Sequence, residues 1–583
     1  MGVFVLIKND IKFNENSLHA VSKKKNLNFY LKDNFSVYTL HLFSNQKKKS
    51  NHFSNKKDAI YSVGTLIYKN QSYDDALKLY LNDFKNDCVT EDEIYGDFIL
   101  IIKQNNVITI IREKCQSSKI FNLNNNVISN SFSTILFSSK QKFSINKQSV
   151  KENVLLGYIL SPKTIVNEIN EIQNKNNFEN INFENFRNKN LSQVLNKKQY
   201  NEKEAIENIV ELLNRQYDSI AKAFNNKRVD IGLSGGYDSR LNLILANHKM
   251  QIHPHSHYKE RYDKDLEIAQ QLCKSLDLDL NTKEIKPFIN IKESDELEKA
   301  LEDTFYYYDG RVALNTGFFN EIYSSKYREY ITTNTELTLT GFGGEIFRNY
   351  SYQPKGKLSI NFWIKNFVFS YYNYSAIKRT KENKEFLEIV QKDILEKLGI
   401  GNEKKISFAT RRYYFSDIWT PMTYSVKSFA ENQMSYFISP FISDTIKKSS
   451  YKMNDVIEND WNFQGKIINK LSPELAKIDS SYNFTFDDNP KLFEVKKKIM
   501  NSKYLLVLKN FLQKRRFEKN VKNNKQYDNE HFEEILSHVI EYLDGIKITY
   551  IKSSINWYYN VLSVALIIKK TKEHNVRIEE LNN

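Results

Sequence analysis

Six residues, Ser234-Gly235-Gly236-Tyr237-Asp238-Ser239, constrain this chain more than any other stretch because of what flanks them. Arg228 to Leu233 (RVDIGL) has the composition of a short buried strand, and Leu241 to Ala246 (LNLILA) begins an apolar helix. Two glycines at a strand-to-helix turn let the backbone approach an anion closely. The new helix then aims its free N–H groups and positive dipole end at that anion. Ser234 and Ser239 add hydroxyl donors, and Asp238 is of the type that holds a phosphate-bridging Mg²⁺. No lysine closes the loop, so it is not the nucleotide loop that ends in Gly-Lys-Ser. The plainer alternative is a Gly-Gly turn that only joins strand to helix. The strand, both serines and the aspartate together argue against it.

The chain has 583 residues, too many for one core, and roughly two to four domains are expected. A net charge of +15 invites a nucleic-acid reading, but the lysines are scattered. The densest basic run, Lys514-Arg515-Arg516 through Lys525, reads as a solvated helix face. No nucleic-acid partner is expected. Cys88, Cys115 and Cys273 lie far apart without metal-ligand spacing, which points to a reducing compartment and neither disulfides nor zinc. The opening MGVFVLIKND lacks a basic n-region, and leucine at position 6 breaks the myristoylation pattern. The best apolar stretch, Trp557 to Ile568, contains Asn560 and is too short to span a membrane. A soluble cytoplasmic protein without a membrane partner is expected.

Strand-like runs at Phe98–Ile102, Val107–Ile111 and Val127–Ser129, separated by Asn-rich turns, make the first 150 residues a β-rich domain. Residues 151–203 read as a connector, polar from 170 on with at most a short strand. From Glu204, apolar residues at Ile206, Ile209, Val210, Leu213, Ile220 and Phe224 follow helical spacing. After the glycine loop come a strand at Ile252–His257, an amphipathic helix at Asp265–Leu276 and a strand at Leu337–Thr340. Strands alternating with helices imply a parallel sheet with ligands at the strands' carboxyl ends. That second domain is expected over 204–500, with a helical extension over 501–583.

Three stretches together resemble the asparagine synthetases and their relatives. SGGYDS at 234–239 is similar to the pyrophosphate loop of enzymes that split ATP into AMP and pyrophosphate. Gly341-Phe342-Gly343-Gly344-Glu345, after the strand LTLT, is similar to that family's second glycine-rich acidic motif. Tyr95-Gly96-Asp97-Phe98, with its following strands and Ser129-Asn130-Ser131-Phe132, looks like the core of the family's glutaminase-type domain. Weaker matches are Ser439-Pro440-Phe441 and Gly465-Lys466-Ile467-Ile468. The resemblance spans about residues 1–480 and implies an α/β chain of two parts. The first is an Ntn-hydrolase-like αββα domain, and the second is a PP-loop domain of the adenine-nucleotide α-hydrolase type.

The resemblance also implies a site. Leu233, Ser234, Gly235, Gly236, Asp238, Ser239, His257, Gly341 and Gly343 would bind ATP. Asp238 and Glu345 would hold Mg²⁺, with Lys466 and Glu345 catalytic. A carboxylate reacts with an amine at neutral pH only once activated, here as an acyl-adenylate that releases AMP. The two acids would meet across adjacent strand ends on the departing pyrophosphate, and Lys466 would neutralise charge at the α-phosphate or the acyl oxyanion. An ordinary surface lysine is the alternative.

Two departures bear on the chemistry. Glutaminases of this family use an N-terminal cysteine with its own α-amine as base, whereas Met1 here precedes Gly2. Glutamine hydrolysis is therefore not expected, as in members of the beta-lactam synthetase and lasso-peptide cyclase type, whose substrates bring the amine. Phe342 stands where glutamine-dependent members have glutamate and the beta-lactam type tyrosine. Phenylalanine takes no proton, so the amine arrives neutral or another base serves, Glu345 or the Tyr371-Tyr372 region. Arg240 and Arg348 either clamp pyrophosphate or a carboxylate, or pair with an acid of their own domain. His253, His255 and His257 fall on one face of their strand, where packing or nucleotide contact is favoured over a metal site.

The expected partners are a small-molecule or peptide carboxylate, a sugar uronate among the candidates, and an amine donor. A homodimer stays open. Two other readings stay open as well: a PP-loop enzyme of tRNA modification, and a non-catalytic scaffold relative.

Overall fold

In the computed structural model, most of the chain is described. The exceptions are residues 46–50, 174–177, 185–190, 192–197, 260–262, 312–320, 350–352, 488–514 and 516–529, together with positions 1, 12, 56, 106, 161, 287, 289–290, 292, 402, 553–554 and 583. The basic run at 514–525 lies outside the described residues except for Arg515. The molecule is mixed α/β, with one parallel sheet.

Strands buried on both faces build the N-terminal part. Six strands, among them Val3–Lys8 and Tyr38–Ser44, form one sheet; five, among them Asp58–Gly64, Phe98–Gln104 and Val107–Arg112, form another. Phe4, Leu6, Ile99 and Ile101 meet in one core between the two sheets. The alternate residues of the same strands point the other way. Phe98, Leu100 and Ile102 pack on Ala76, Leu77 and Tyr80 of the helix Tyr73–Lys85. Val3 and Val5 pack with Leu18 and Val21 of the helix Glu15–Lys24. The layers therefore run helix, sheet, sheet, helix.

The segment expected as a connector is drawn into this unit. Ile169–Glu171 pairs with Phe121–Leu123, and Ile181–Glu184 runs parallel to Val107–Arg112. The apolar Ile169, Ile181 and Phe183 supply the burial that holds these short strands in place. The C-terminal helix Ile555–Asn582 also returns to the first unit: Trp557 Nε1 donates to the Val154 carbonyl at 2.7 Å. Among the described residues, no helix is long and apolar enough to cross a membrane.

The second sheet system has five strands in the order Asn281–Glu284, Gln251–Tyr258, Arg228–Gly232, Leu337–Leu339, Tyr436–Ile438, and every pairing is parallel. Val229, Ile231, Leu337 and Leu339 are fully buried against flanking helices. One of these, Glu202–Ala223, starts at a capping box in which Asn201 and Glu204 satisfy each other's backbone N–H groups. Arg228–Gly232 comes first in the chain and sits centrally, with its successor on one side and Leu337–Leu339 on the other. Strand order reverses there, and such a reversal opens a crevice at the carboxyl ends of the strands.

Candidate functional site

That crevice is a cavity of about 350 Å³. The strand Arg228–Gly232 runs into Ser234 and Gly235, and the helix Tyr237–Ala246 opens on Gly236 without a side-chain cap. A glycine at that position brings no side chain of its own to cap the helix, the arrangement that leaves room for an anion. The loop is closed on itself, with the hydroxyls of Ser234 and Ser239 3.0 Å apart and Ser234 N–H donating to Ser239 Oγ at 3.1 Å. Gly235 N–H donates to Asp265 Oδ1 at 2.9 Å, which anchors the loop to the neighbouring helix.

The second glycine motif lies directly against the first. A Cβ on Gly341 would stand 2.7 Å from the Asp238 carbonyl carbon, and one on Gly344 only 2.3 Å from Asp238 Oδ1. No side chain fits at either position without moving Asp238. Those glycines allow Glu345 to fold back, where its carboxylate accepts from Gly343 N–H at 2.9 Å. Burial, with the Asp238 charge adding to it, pushes the Glu345 carboxyl above its ordinary value against the pull of Arg348. Two acids from strand ends about a hundred residues apart in sequence are thereby brought together.

Arg348 is their shared counterion. Its guanidinium grips Asp238 with both nitrogens, at 3.0 and 2.9 Å, and also donates to Gln464 Oε1 at 2.7 Å. Gln464 Nε2 in turn donates to Asp238 Oδ1 at 2.8 Å. The other arginine, Arg240, faces away from the acids. It donates to the carbonyls of Leu475, Ile478 and Asp479 and lies over the Phe486 ring.

The cavity wall contains Leu233, Ser234, Asp238, Ser239, His257 and Gly341, while Gly343 and Glu345 face a smaller adjoining cavity of about 60 Å³. Gly235 and Gly236 belong to the loop but not to the lining. Lys466 stands apart. Its ammonium lies 2.8 Å from both Glu202 and Asp460, and it lines neither cavity. Lys466 and Gln464 are two residues apart on the helix Phe463–Leu471, hence on nearly opposite faces, and it is Gln464 that reaches Asp238.

His255 Nδ1 is 2.6 Å from Asp230 Oδ1, and His257 lies edge-on to Tyr327. Burial, with His255 and Lys427 adding, holds the His257 imidazole down to about 4, so it is neutral at pH 7. Among the described residues no group of three or more His, Cys, Asp or Glu could hold a metal ion. Phe342 stacks on Tyr424, with ring centroids 5.0 Å apart, and the Tyr424 hydroxyl donates to Asp97 of the N-terminal unit at 2.7 Å. The side chains of Tyr371 and Tyr372 lie outside the described residues. At Gly2, where the family's glutaminases carry their cysteine, a Cβ would sit 1.9 Å from the Phe43 carbonyl oxygen.

Sequence reasoning missed Gln464, Arg328, Glu431 and Lys427. Gln464 directly precedes the weakly matching segment Gly465–Ile468 and carried no signal of its own. Lys427 is one lysine on the helix Thr420–Glu431, with nothing local to set it apart. No protein-family model and no curated protein matches this chain.

Proposed function

We propose that the chain is an ATP-dependent carbon–nitrogen ligase of the asparagine synthetase type, which consumes ATP, releases AMP and pyrophosphate, and joins a carboxylate to ammonia or a substrate amine without hydrolysing glutamine. On this reading the parallel sheet is a PP-loop domain, the layered N-terminal unit is a glutaminase-type domain without its nucleophile, and the enzyme works in the cytoplasm. The observation that carries it is the convergence of Asp238 and Glu345 beside an uncapped helix N-terminus at the point where strand order reverses.

The residues present fit Mg²⁺. This ion is held by one or two carboxylates plus substrate phosphates rather than by an all-protein cage, and two carboxylates are what the site offers. Bound there, it would neutralise charge on the departing pyrophosphate. The protein's own part is orientation. The Ser234–Ser239 loop presents N–H and hydroxyl donors, and Arg348 keeps two adjacent carboxylates from repelling each other. The neutral His257 adds no charge to the nucleotide side. The clash at Gly2 supports the absence of a glutaminase nucleophile, because that backbone has no room for a cysteine side chain. Lys466 enters this reading only if its ion pairs with Glu202 and Asp460 open.

The test is AMP and pyrophosphate formation from MgATP, with candidate carboxylates and amines supplied by cell extract, for wild type, Asp238→Asn, Glu345→Gln and the double variant. Each single change is expected to cost nearly as much as both, since groups acting on one ion are not additive. Wild-type rates in Asp238→Asn would refute the metal role. Strictly multiplicative losses would place Glu345 in another role.

A further inference from the structure

The charges around the large cavity nearly all answer one another. Asp238 is gripped by Arg348, and Arg328 forms an ion pair with Glu431. His255 is bonded to Asp230. Lys427 is the exception. It lines the same cavity from the helix Thr420–Glu431, one turn beyond Thr423, and among the described residues it makes no hydrogen bond, ion pair or ring contact. Lys427 is half-buried. A partly desolvated ammonium without a hydrogen-bonded partner carries a cost that an anion completing the site offsets. We propose that Lys427 is an anion-binding residue of this cavity, holding an anionic oxygen group of the ligand bound there.

Two observations fix the chemistry. The cavity that Lys427 lines also carries the aromatic side chains of Phe342, Phe437 and Tyr308, which exclude part of the water and strengthen a charge-assisted bond there. Burial also lowers the Lys427 ammonium from its ordinary value, with Arg328 adding to it and Glu431, Asp230 and Glu345 acting the other way. On the ligase reading, the anionic oxygen belongs either to the triphosphate of ATP or to the carboxylate to be activated. Both sources share the same chemistry, and the inference rests on that reading only for naming them.

The experiment uses full-length wild-type protein under reductive methylation. Modification of Lys427 is followed by mass spectrometry in the presence of MgATP, magnesium pyrophosphate or succinate, with the exposed Lys384 as internal control. At least one anion is expected to protect Lys427 about tenfold, the lower end for a hydrogen bond to a charged group. Protection by the phosphate probes alone assigns the oxygen to the nucleotide; protection by succinate alone assigns it to the carboxylate substrate. Equal labelling under all three overturns the proposal.

Equilibrium dialysis of the protecting probe against Lys427→Met and Lys427→Arg separates charge from bulk. Methionine is expected to weaken binding about tenfold or more, and arginine to restore most of it. Equal affinities in methionine and wild type would also overturn the proposal. If wild type does not bind MgATP but succinate still protects Lys427, the ligase reading fails and the anion site stands. If MgATP binds and Lys427 is indifferent to every probe, the anion site fails and the ligase reading stands.

Discussion

Arg348 gives the sharpest test of how the two motifs are held together. Arg348→Met would keep most of the side-chain volume and remove the fork that grips Asp238 at 3.0 and 2.9 Å. Breaking a buried ion pair by removing one partner costs about 3–5 kcal/mol. The side chains of Arg348 and Asp238 retain 11% and 21% exposure, so water recovers part of the loss and about 3 kcal/mol is expected. Asp238→Asn leaves an amide that still pairs with Gln464, and about 2 kcal/mol is expected there. In the double variant no carboxylate is left stranded at 238, so its cost should be about 3 rather than 5 kcal/mol, a coupling of roughly 2 kcal/mol.

A chain of this size does not unfold in one step, so a global midpoint would blur the effect. The assay is native-state hydrogen exchange resolved to the segments 232–246 and 341–349, with the opening free energy of each compared around the four-variant cycle. Additivity to within about 0.5 kcal/mol would mean that Arg348 and Asp238 do not stabilise each other, and the account of Arg348 as shared counterion would fall.

Asp97 is pushed up to about 7 from an ordinary value of 3.8, by burial and then by Glu113, while it accepts from Tyr424, Ser117 and Ser428. The folded state therefore holds this proton more tightly than the unfolded one. The stability it contributes is complete below about 4 and is lost as pH rises through about 7. Hydrogen exchange of the Tyr95–Gln104 segment should loosen over that window in wild type and not in Asp97→Asn; an unchanged pH profile in the variant would refute this. Incubation with glutamine is expected to yield no glutamate above a heat-killed control, and Gly2→Cys should not create the activity, because its side chain meets the Phe43 carbonyl. Clear turnover by either protein would show that the N-terminal unit is a working glutaminase.

Local chemistry was legible from residues alone. Strand, double glycine and apolar helix are encoded within about twenty consecutive positions, and the helix forms at Tyr237–Ala246 after the strand Arg228–Gly232. The continuous apolar run Phe98–Ile102 likewise identified a strand, which extends to Gln104, and the strand–helix succession implied parallel pairing. At most one short strand was expected from residue 170 on, and the sequence placed neither Ile169–Glu171 nor Ile181–Glu184. A run of three or four residues acquires its conformation from the sheet edge it joins.

The partners of charged side chains were decided only by the tertiary structure. Nothing near position 348 announces Asp238, and nothing near 427 announces a place in the cavity wall. Rotation by two residues on one helix decides that Gln464 rather than Lys466 meets the loop. Periodicity and turn chemistry act over a few residues, so sequence carries them directly. Ion pairing depends on which strand ends the fold brings within a few ångströms, and here those ends are about a hundred residues apart in the chain.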